Sequence, residues 1–365
     1  MLQKLLLIAL VAVVLVGCAA NTPSPSSTAA APGETQAAPA GAARSLTVMT
    51  HDSFAISEEA LKQFEQANQV KVQFVKSGDT GTALNKAILS RDNPLADVFY
   101  GVDNTFLSRA LTEDIFEPYA SPLLEQIPAE FKLDPQARAL PVDYGDVCLN
   151  YDKAYFAGKG LPPPGSLDDL LKPEYKGLLV VQNPAASSPG LAFLLATIGA
   201  YGEDGYLAYW QALKDNDVLV VNDWESAYYT EFSGSSGKGP RPLVVSYNSS
   251  PVFEVIYAET PLAEPPTAAL VADNSCFRQI EFVGLLRGAR NAELGRKWID
   301  FMLSPAFQQD MPMQMFVFPV NPAASLDETF NKFLQVAQQP VRVDPQQIAA
   351  QREAWLKAWT ELMRQ

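Results

Sequence analysis

The chain carries a single histidine, His51, and three cysteines, Cys18, Cys148 and Cys276. That inventory limits the chemistry sharply. A Ser-His-Asp triad, or a metal site built on several histidines, has too little to work with. No G-x-S-x-G nucleophile elbow and no paired-histidine metal motif occurs in the sequence. Asp143 and Asp146 could serve as an acid–base pair, but acidic residues in loops are mostly solvated caps, and a hydrolase is the weaker reading. Binding chemistry is better supplied. Asp79 lies in Gly78-Asp79-Thr80-Gly81, Trp224 is flanked by Asp223 and Glu225, and Ser187-Ser188-Pro189-Gly190 has the form of a helix start. Hydroxyls and N–H groups at such a start can hold an anion or a polar tail. Asp79 could equally be a turn or helix cap, and Trp224 a core residue.

Elements must position these residues, and the first of them is removable. Residues 1–17 run from Lys4 through an apolar stretch, Leu5 to Val16, to Gly17. This stretch is too short to span a bilayer comfortably and has the length of a signal-peptide core. Leu15-Val16-Gly17-Cys18 resembles a bacterial lipobox, which implies cleavage before Cys18 and a lipid on its thiol. The chain is then exported and held at a cell membrane, facing the periplasm or the cell exterior. Residues 19–44 are Ala, Pro, Ser, Thr and Gly with almost no large apolar groups. They cannot bury enough surface to offset their ordering entropy, so 18–44 reads as a lipidated, disordered tether. Its reach as a flexible coil is on the order of 30 Å.

The body from about Ser45 to Gln365 is too long for one compact core, and two lobes are expected. The formal net charge is −14 at pH 7. An acidic surface argues against nucleic acid and is compatible with a cationic ligand. With Cys18 taken by lipid, Cys148 and Cys276 remain, and in an exported protein two such cysteines invite a disulfide. Two separate buried thiols are the alternative.

Strand and helix signals alternate. Ser45–His51, Lys71–Lys76 and Ala96–Val102 read as strands, with helices starting at Ser57, at Gly78-Asp79-Thr80-Gly81 and at Asp103-Asn104. This pattern implies a parallel sheet with helices on both faces. Its binding residues lie in loops past the C-terminal ends of the strands, where His51, Asp79 and Asp103 fall. Leu140–Asp152 is an extended crossing. Strands recur at Leu178–Gln182, Val218–Val221 and Leu243–Tyr247, each leading into a helix, with Pro189 and Pro251 in first turns. Cys276–Val283 is a return strand, and Ile348–Met363 has the apolar spacing of a terminal helix, in which Trp355 and Trp359 pack one turn apart. Two α/β units joined by two crossings make two lobes flanking a cleft. Cys148 and Cys276 lie on the crossings, where a bond would fasten adjacent strands.

Several segments together, in this order and spacing, resemble the solute-binding proteins of ATP-driven importers, and within them the thiamine-binding family. They are T-H-D-S-F (50–54), A-D-V-F-Y-G-V-D-N (96–104), P-V-D-Y-G (141–145), N-P-A-A-S-S-P-G-L (183–191), W-E-S-A-Y (224–228), S-Y-N-S-S-P (246–251), S-P-A-F-Q (304–308) and Q-R-E-A-W-L-K-A-W (351–359). The resemblance spans nearly the whole body. It implies an α/β periplasmic-binding-protein fold of the class II type, with 45–147 and 279–365 forming lobe 1 and 148–278 forming lobe 2. It further implies a monomer that binds thiamine or a thiamine phosphate, delivers it to an ABC permease and needs no cofactor.

Matched by motif, Asp79, Trp224, Tyr247, Ser187 and Ser188 line the cleft, with His51, Asp103, Phe253 and Phe316 beside them. His51 stands where family members can carry tyrosine, Phe253 where some carry tyrosine, and Phe316 where tryptophan is found. These exchanges keep flat surfaces and lose polar handles, leaving open the choice between thiamine and its phosphates. Tyr247 and Trp224 offer π faces to the thiazolium cation, each worth about 0.5–2 kcal/mol. Asp79 can accept from the exocyclic amine, and Ser187 and Ser188 can donate to the tail. Ferric-ion-binding relatives use neighbouring tyrosines, so an Fe³⁺ receptor built on Tyr228 and Tyr229 is the rival within the class.

Overall fold

The structure is a computed structural model and describes residues 44–234 and 238–364. The expected signal peptide, the expected lipidation at Cys18 and the expected tether up to residue 43 lie outside the described residues. Arg44, read from sequence as the last tether residue, is the first residue of the sheet.

The first stretch comprises β1 (Arg44–Thr50), α1 (Glu58–Asn68), β2 (Val70–Lys76), α2 (Thr80–Leu89), β3 (Val98–Asp103) and α3 (Leu107–Thr112). Ser57 caps α1 by accepting from the Ala60 N–H, and Glu58 and Glu59 complement the dipole in its first turn. β3 is buried at every position, as expected of a strand covered on both faces. The helix expected at Asp103-Asn104 begins only at Leu107, because Asp103 first closes a turn: its Oδ1 accepts from the N–H groups of Thr105 and Phe106.

The chain continues through β4 (Phe116–Glu117), the crossing strand β5 (Leu140–Asp152), α4 (Lys153–Lys159), β6 (Leu179–Gln182), α5 (Ser188–Asp215) and β7 (Leu219–Val221). A π-helical turn, Ser226–Glu231, leads to β8 (Leu243–Tyr247), α6 (Ser250–Ile256), β9 (Thr267–Leu270) and β10 (Phe277–Leu286). The remainder is α7 (Ala292–Leu303), α8 (Pro305–Met315), β11 (Phe318–Pro319), α9 (Glu328–Phe333) and α10 (Pro345–Arg364). The first three turns of α5 are buried on all sides, which makes it a central helix. Trp355 and Trp359 of α10 are buried as the spacing predicts, with Trp359 edge-on to Trp210 at 5.4 Å.

Among the described residues the strands form one 11-stranded sheet with the order β2-β1-β3-β10-β5-β8-β6-β7, to which β4, β9 and β11 add at β10 and β5. The two expected sheets are therefore continuous through the two long crossing strands. β1 is parallel to β2 and β3, and β6 is parallel to β7 and β8. The steps β3/β10, β10/β5 and β5/β8 are antiparallel. The two parallel sets consequently run in opposite directions, and their C-terminal ends can face one cavity only if the sheet curls between them. β10 carries register shifts on both sides of Phe282, one against β5 and one against β3. Bulges of this kind bend and twist a strand, here in the middle of the sheet.

Cys148 of β5 and Cys276, the residue before β10, form a disulfide beside the Val147–Phe277 pair of the ladder. The reading of two separate thiols falls with it. No helix among the described residues is long and apolar enough to cross a membrane.

Candidate functional site

Each parallel strand delivers at least one candidate from its C-terminal end. β1 leads to His51, β2 to Asp79, β3 ends on Asp103, β6 leads to Ser187 and Ser188, β7 to Trp224, and β8 ends on Tyr247. His51, Asp79, Ser188, Trp224, Tyr247 and Phe316 line one cavity, together with Ser53, Ser250, Glu281 and Met315. Its free volume is about 40 Å³. On this measure one water needs about 10–15 Å³, so the space admits a few waters, and a solute much larger than these requires the walls to part. Three candidates are not on this wall. Ser187 and Asp103 are wholly buried behind it. Phe253 lies in an adjoining recess of about 510 Å³, stacked on Phe316 at 4.2 Å. Phe316 borders both spaces from the left-handed position that ends α8.

Asp79 joins two parts of the wall. It caps α2, with Oδ1 accepting from the Thr80 N–H at 2.9 Å, and its Oδ2 accepts from the Trp224 N–H at 3.2 Å. Both the cap and the site readings of this residue therefore hold geometrically. Burial pushes its carboxyl up to about 6, against the pull of the Ser187 hydroxyl and of the two N–H groups. Ser187 sits at the N-cap of α5, yet its side chain makes no cap bond. The Trp224 indole Nε1–H donates to Ser246 Oγ at 3.0 Å, which is 2.9 Å from Ser250 Oγ. Its ring stacks on Tyr228 at 5.0 Å and 14°. Trp224 is thus fixed in edge and face while remaining partly exposed to the cavity.

Tyr228 and Tyr229 follow Trp224 in the π-helical turn, with their rings nearly perpendicular. The Tyr228 hydroxyl donates to Glu254. No group of three or more His, Cys, Asp or Glu that could hold a metal occurs among the described residues.

The floor of the cavity holds what the sequence reading missed. Asp143, read there as a loop acid, is wholly buried on β5, and Asp146 is buried as well and accepts a two-pronged pair from Arg278 at 2.8 and 3.0 Å. The solvated-cap expectation fails because β5 is a central strand covered on both faces. The Tyr100 hydroxyl donates to Asp143 Oδ2 at 2.6 Å and lies 3.0 Å from Glu281 Oε2. Burial and the charges of Asp143 and Asp103 push the Glu281 carboxyl well above the usual range. Asp143 is raised to about 6, mainly by burial. Glu281 Oε1 is 3.7 Å from His51 Nε2. Burial, helped by the Lys76 charge, lowers His51 to about 4, so at neutral pH the imidazole is an uncharged polar surface. Tyr247 accepts from the Gln279 side chain at 3.0 Å. A lone carboxylate within the apolar return strand Cys276–Val283 was the available signal for Glu281, since a buried charge needs a reason.

His51 has room only because residue 101 is glycine. A Cβ there would lie 2.5 Å from the imidazole Cδ2, and φ is +108°. Gly101→Ala should cost about 2–4 kcal/mol from the combined strain of backbone and packing, read as a lowered urea midpoint. An unchanged midpoint would show that His51 can move aside freely.

Comparison with known proteins accords with this geometry. The chain is 32% identical over 328 residues to the thiamine-binding periplasmic protein of Salmonella typhimurium, covering 88% of this chain and 94% of that one. A solved structure titled as a periplasmic thiamin binding protein superposes with a TM-score of 0.76 at 28% identity, over 87% of this chain and 96% of the other. A ferric binding protein from Campylobacter jejuni superposes with a TM-score of 0.68 at 18% identity, over 87% and 99%, and shares the fold. The family described as bacterial extracellular solute-binding protein matches residues 93–336. With well over half its length matched, the chain belongs to that family: it has the periplasmic-binding-protein fold and is a binding module of ABC import systems rather than an enzyme, taking a solute and no cofactor.

Proposed function

We propose that this protein is a thiamine receptor, anchored by lipid at Cys18, which closes two lobes on its ligand and hands it to an ABC permease. The observation that carries the reading is the make-up of the cavity wall. Trp224 and Tyr247 offer aromatic faces, Asp79 and Glu281 offer carboxyls, and no Lys or Arg lines the space. Such a wall suits a flat, permanently charged cation with an amino group. The relatives named for thiamine support the choice of cation.

Lobe 1, residues 45–147 and 279–365, would move against lobe 2, residues 148–278. Among the described residues β5 and β10 are the long strands common to both, which makes them the flexing pair. The small free volume fits a closed arrangement that must open to load.

The same wall favours thiamine over its phosphates. The start of α5 would be the natural phosphate seat, but the carboxyls of Asp79 and Asp103 lie beside Ser187 and Ser188, whose hydroxyls have no hydrogen-bond partner among the described residues. An incoming phosphate meets carboxylates with no cation to offset them. Isothermal titration should show thiamine binding and at least about tenfold weaker binding of thiamine diphosphate, about 1.4 kcal/mol. Equal affinities would remove the preference for the free cation, and an absence of thiamine binding would remove the receptor reading itself.

A further inference from the structure

Ladder pairing sets three carboxyl groups side by side on neighbouring strands. Glu281 of β10 is opposite Asp103 of β3 and opposite Asp143 of β5. All three are at least nine-tenths buried, and like charges directly opposite one another oppose folding. Of the three, Glu281 alone lines the cavity. It is not paired with a cationic side chain. Its neighbours are Asp143, Asp103 and Tyr100 from β5 and β3, His51 beyond β1, and Tyr247 at the end of β8. The nearest basic groups act one step away, Lys76 on His51 and Arg352 on Asp103.

A second feature points to an occupant. His51 lines the same cavity and is more than nine-tenths buried, and its Nε2, 3.7 Å from Glu281 Oε1, has no hydrogen-bond partner. The floor therefore brings together a residue with an unsatisfied imidazole nitrogen and a carboxyl crowded by its own kind, and both residues line the space a ligand would enter.

We propose that Glu281 is the ligand's counter-charge and a determinant of specificity for cations, giving up its proton as the cation arrives. The inference rests on the thiamine-receptor reading. In the unliganded site the carboxyl is protonated, which relieves the row. The hydrogen-bond geometry is compatible, because Tyr100 has one hydroxyl proton and contacts two carboxyls, Asp143 Oδ2 at 2.6 Å and Glu281 Oε2 at 3.0 Å, so both contacts are satisfied when one carboxyl is protonated. A thiazolium brought against the floor reverses the balance, since an opposite charge in a desolvated site favours the carboxylate. The O–H bond of Glu281 then breaks, its electron pair stays on the carboxylate, and the proton leaves to solvent. His51 does not retain it, being held neutral by burial at any pH well above about 4. A neutral analogue gains nothing from the exchange and is rejected by comparison.

The test is thiamine titration calorimetry of the full-length protein at pH 8, where Asp79, near 6, is already ionised. Two buffers of low and high ionisation enthalpy are compared. The expected result is a difference in heat showing net proton release on thiamine binding, with affinity rising as pH rises, by at most tenfold per pH unit. In Glu281→Gln the release should fall close to zero, with affinity about tenfold weaker and flat with pH. Thiamine binding with the same heat in both buffers overturns the inference and leaves the receptor reading standing. No thiamine binding overturns the receptor reading and the inference with it. The wild-type buffer comparison decides the matter even if the variant does not fold.

Discussion

Trp224→Ala lowers thiamine affinity by about a hundredfold, about 2.7 kcal/mol, with little change in thermal stability. The size follows from three losses at one position. The cation loses an aromatic face worth about 0.5–2 kcal/mol. The apolar area that the indole would share with the ligand goes with it, and truncating a packed tryptophan at an interface commonly costs about 2 kcal/mol or more. The Ser246–Ser250 hydroxyl pair also loses its indole donor. Stability changes little because the ring is partly exposed, and Tyr228 beneath it keeps its bond to Glu254 and its tilted contact with Phe232. Trp224→Phe separates the contributions, since it keeps a π face and loses only the indole donor. Its affinity should fall by about tenfold. Calorimetric titration of both variants beside the parent, with circular dichroism to confirm the fold, reads the outcome. Parent-like binding by Trp224→Ala would show that the ligand does not touch this wall.

The parts of this site that were legible in sequence share one physical origin. A parallel strand buried on both faces reads as an apolar run, and the first polar or aromatic residues after it fall at the rim of the sheet. His51 directly follows β1, Asp79 and Trp224 lie three residues beyond β2 and β7, and Tyr247 ends β8, so four different strands place them on one cavity. The crossing strand around Leu140–Asp152 was legible, and the structure places β5 at Leu140–Asp152.

What escaped was the lateral arrangement. Nothing in the spacing of Asp103, Asp143 and Glu281 along the chain reveals that β3, β5 and β10 bring them side by side, because cross-strand register is a tertiary property. The same is true of the recess around Phe253. Its walls come from the π-helical turn at Tyr228 and Tyr229, α6, the loop after it and the end of α8, which no local pattern links. The strand signals implied parallel sheets, and the antiparallel steps through β10 and β5 were hidden because direction, like register, depends on the partner strand.

Removing both cysteines, as Cys148→Ala with Cys276→Ala, should destabilise the protein by about 3 kcal/mol while leaving thiamine affinity within about threefold of the parent. The bond joins residues 128 apart in sequence, so it excludes a large share of unfolded conformations. In a body of this size 3 kcal/mol corresponds to a fall in melting temperature of about 5 °C. Binding is spared because the ladder around the bond is complete without it. Val147 and Phe277 pair directly, and the Val341 N–H donates to the Cys276 carbonyl at 2.7 Å. Both cysteines are wholly buried, so a mild reductant should leave the folded parent untouched and act only once it has been unfolded. Scanning calorimetry of parent and double variant, with and without reductant, provides the check. An unchanged melting temperature would mean that the bond does nothing for the fold. A large loss of affinity would show instead that β5 and β10 need the covalent link to hold the Glu281 and Asp143 floor in register, making the disulfide part of the binding site's construction rather than a fastening beside it.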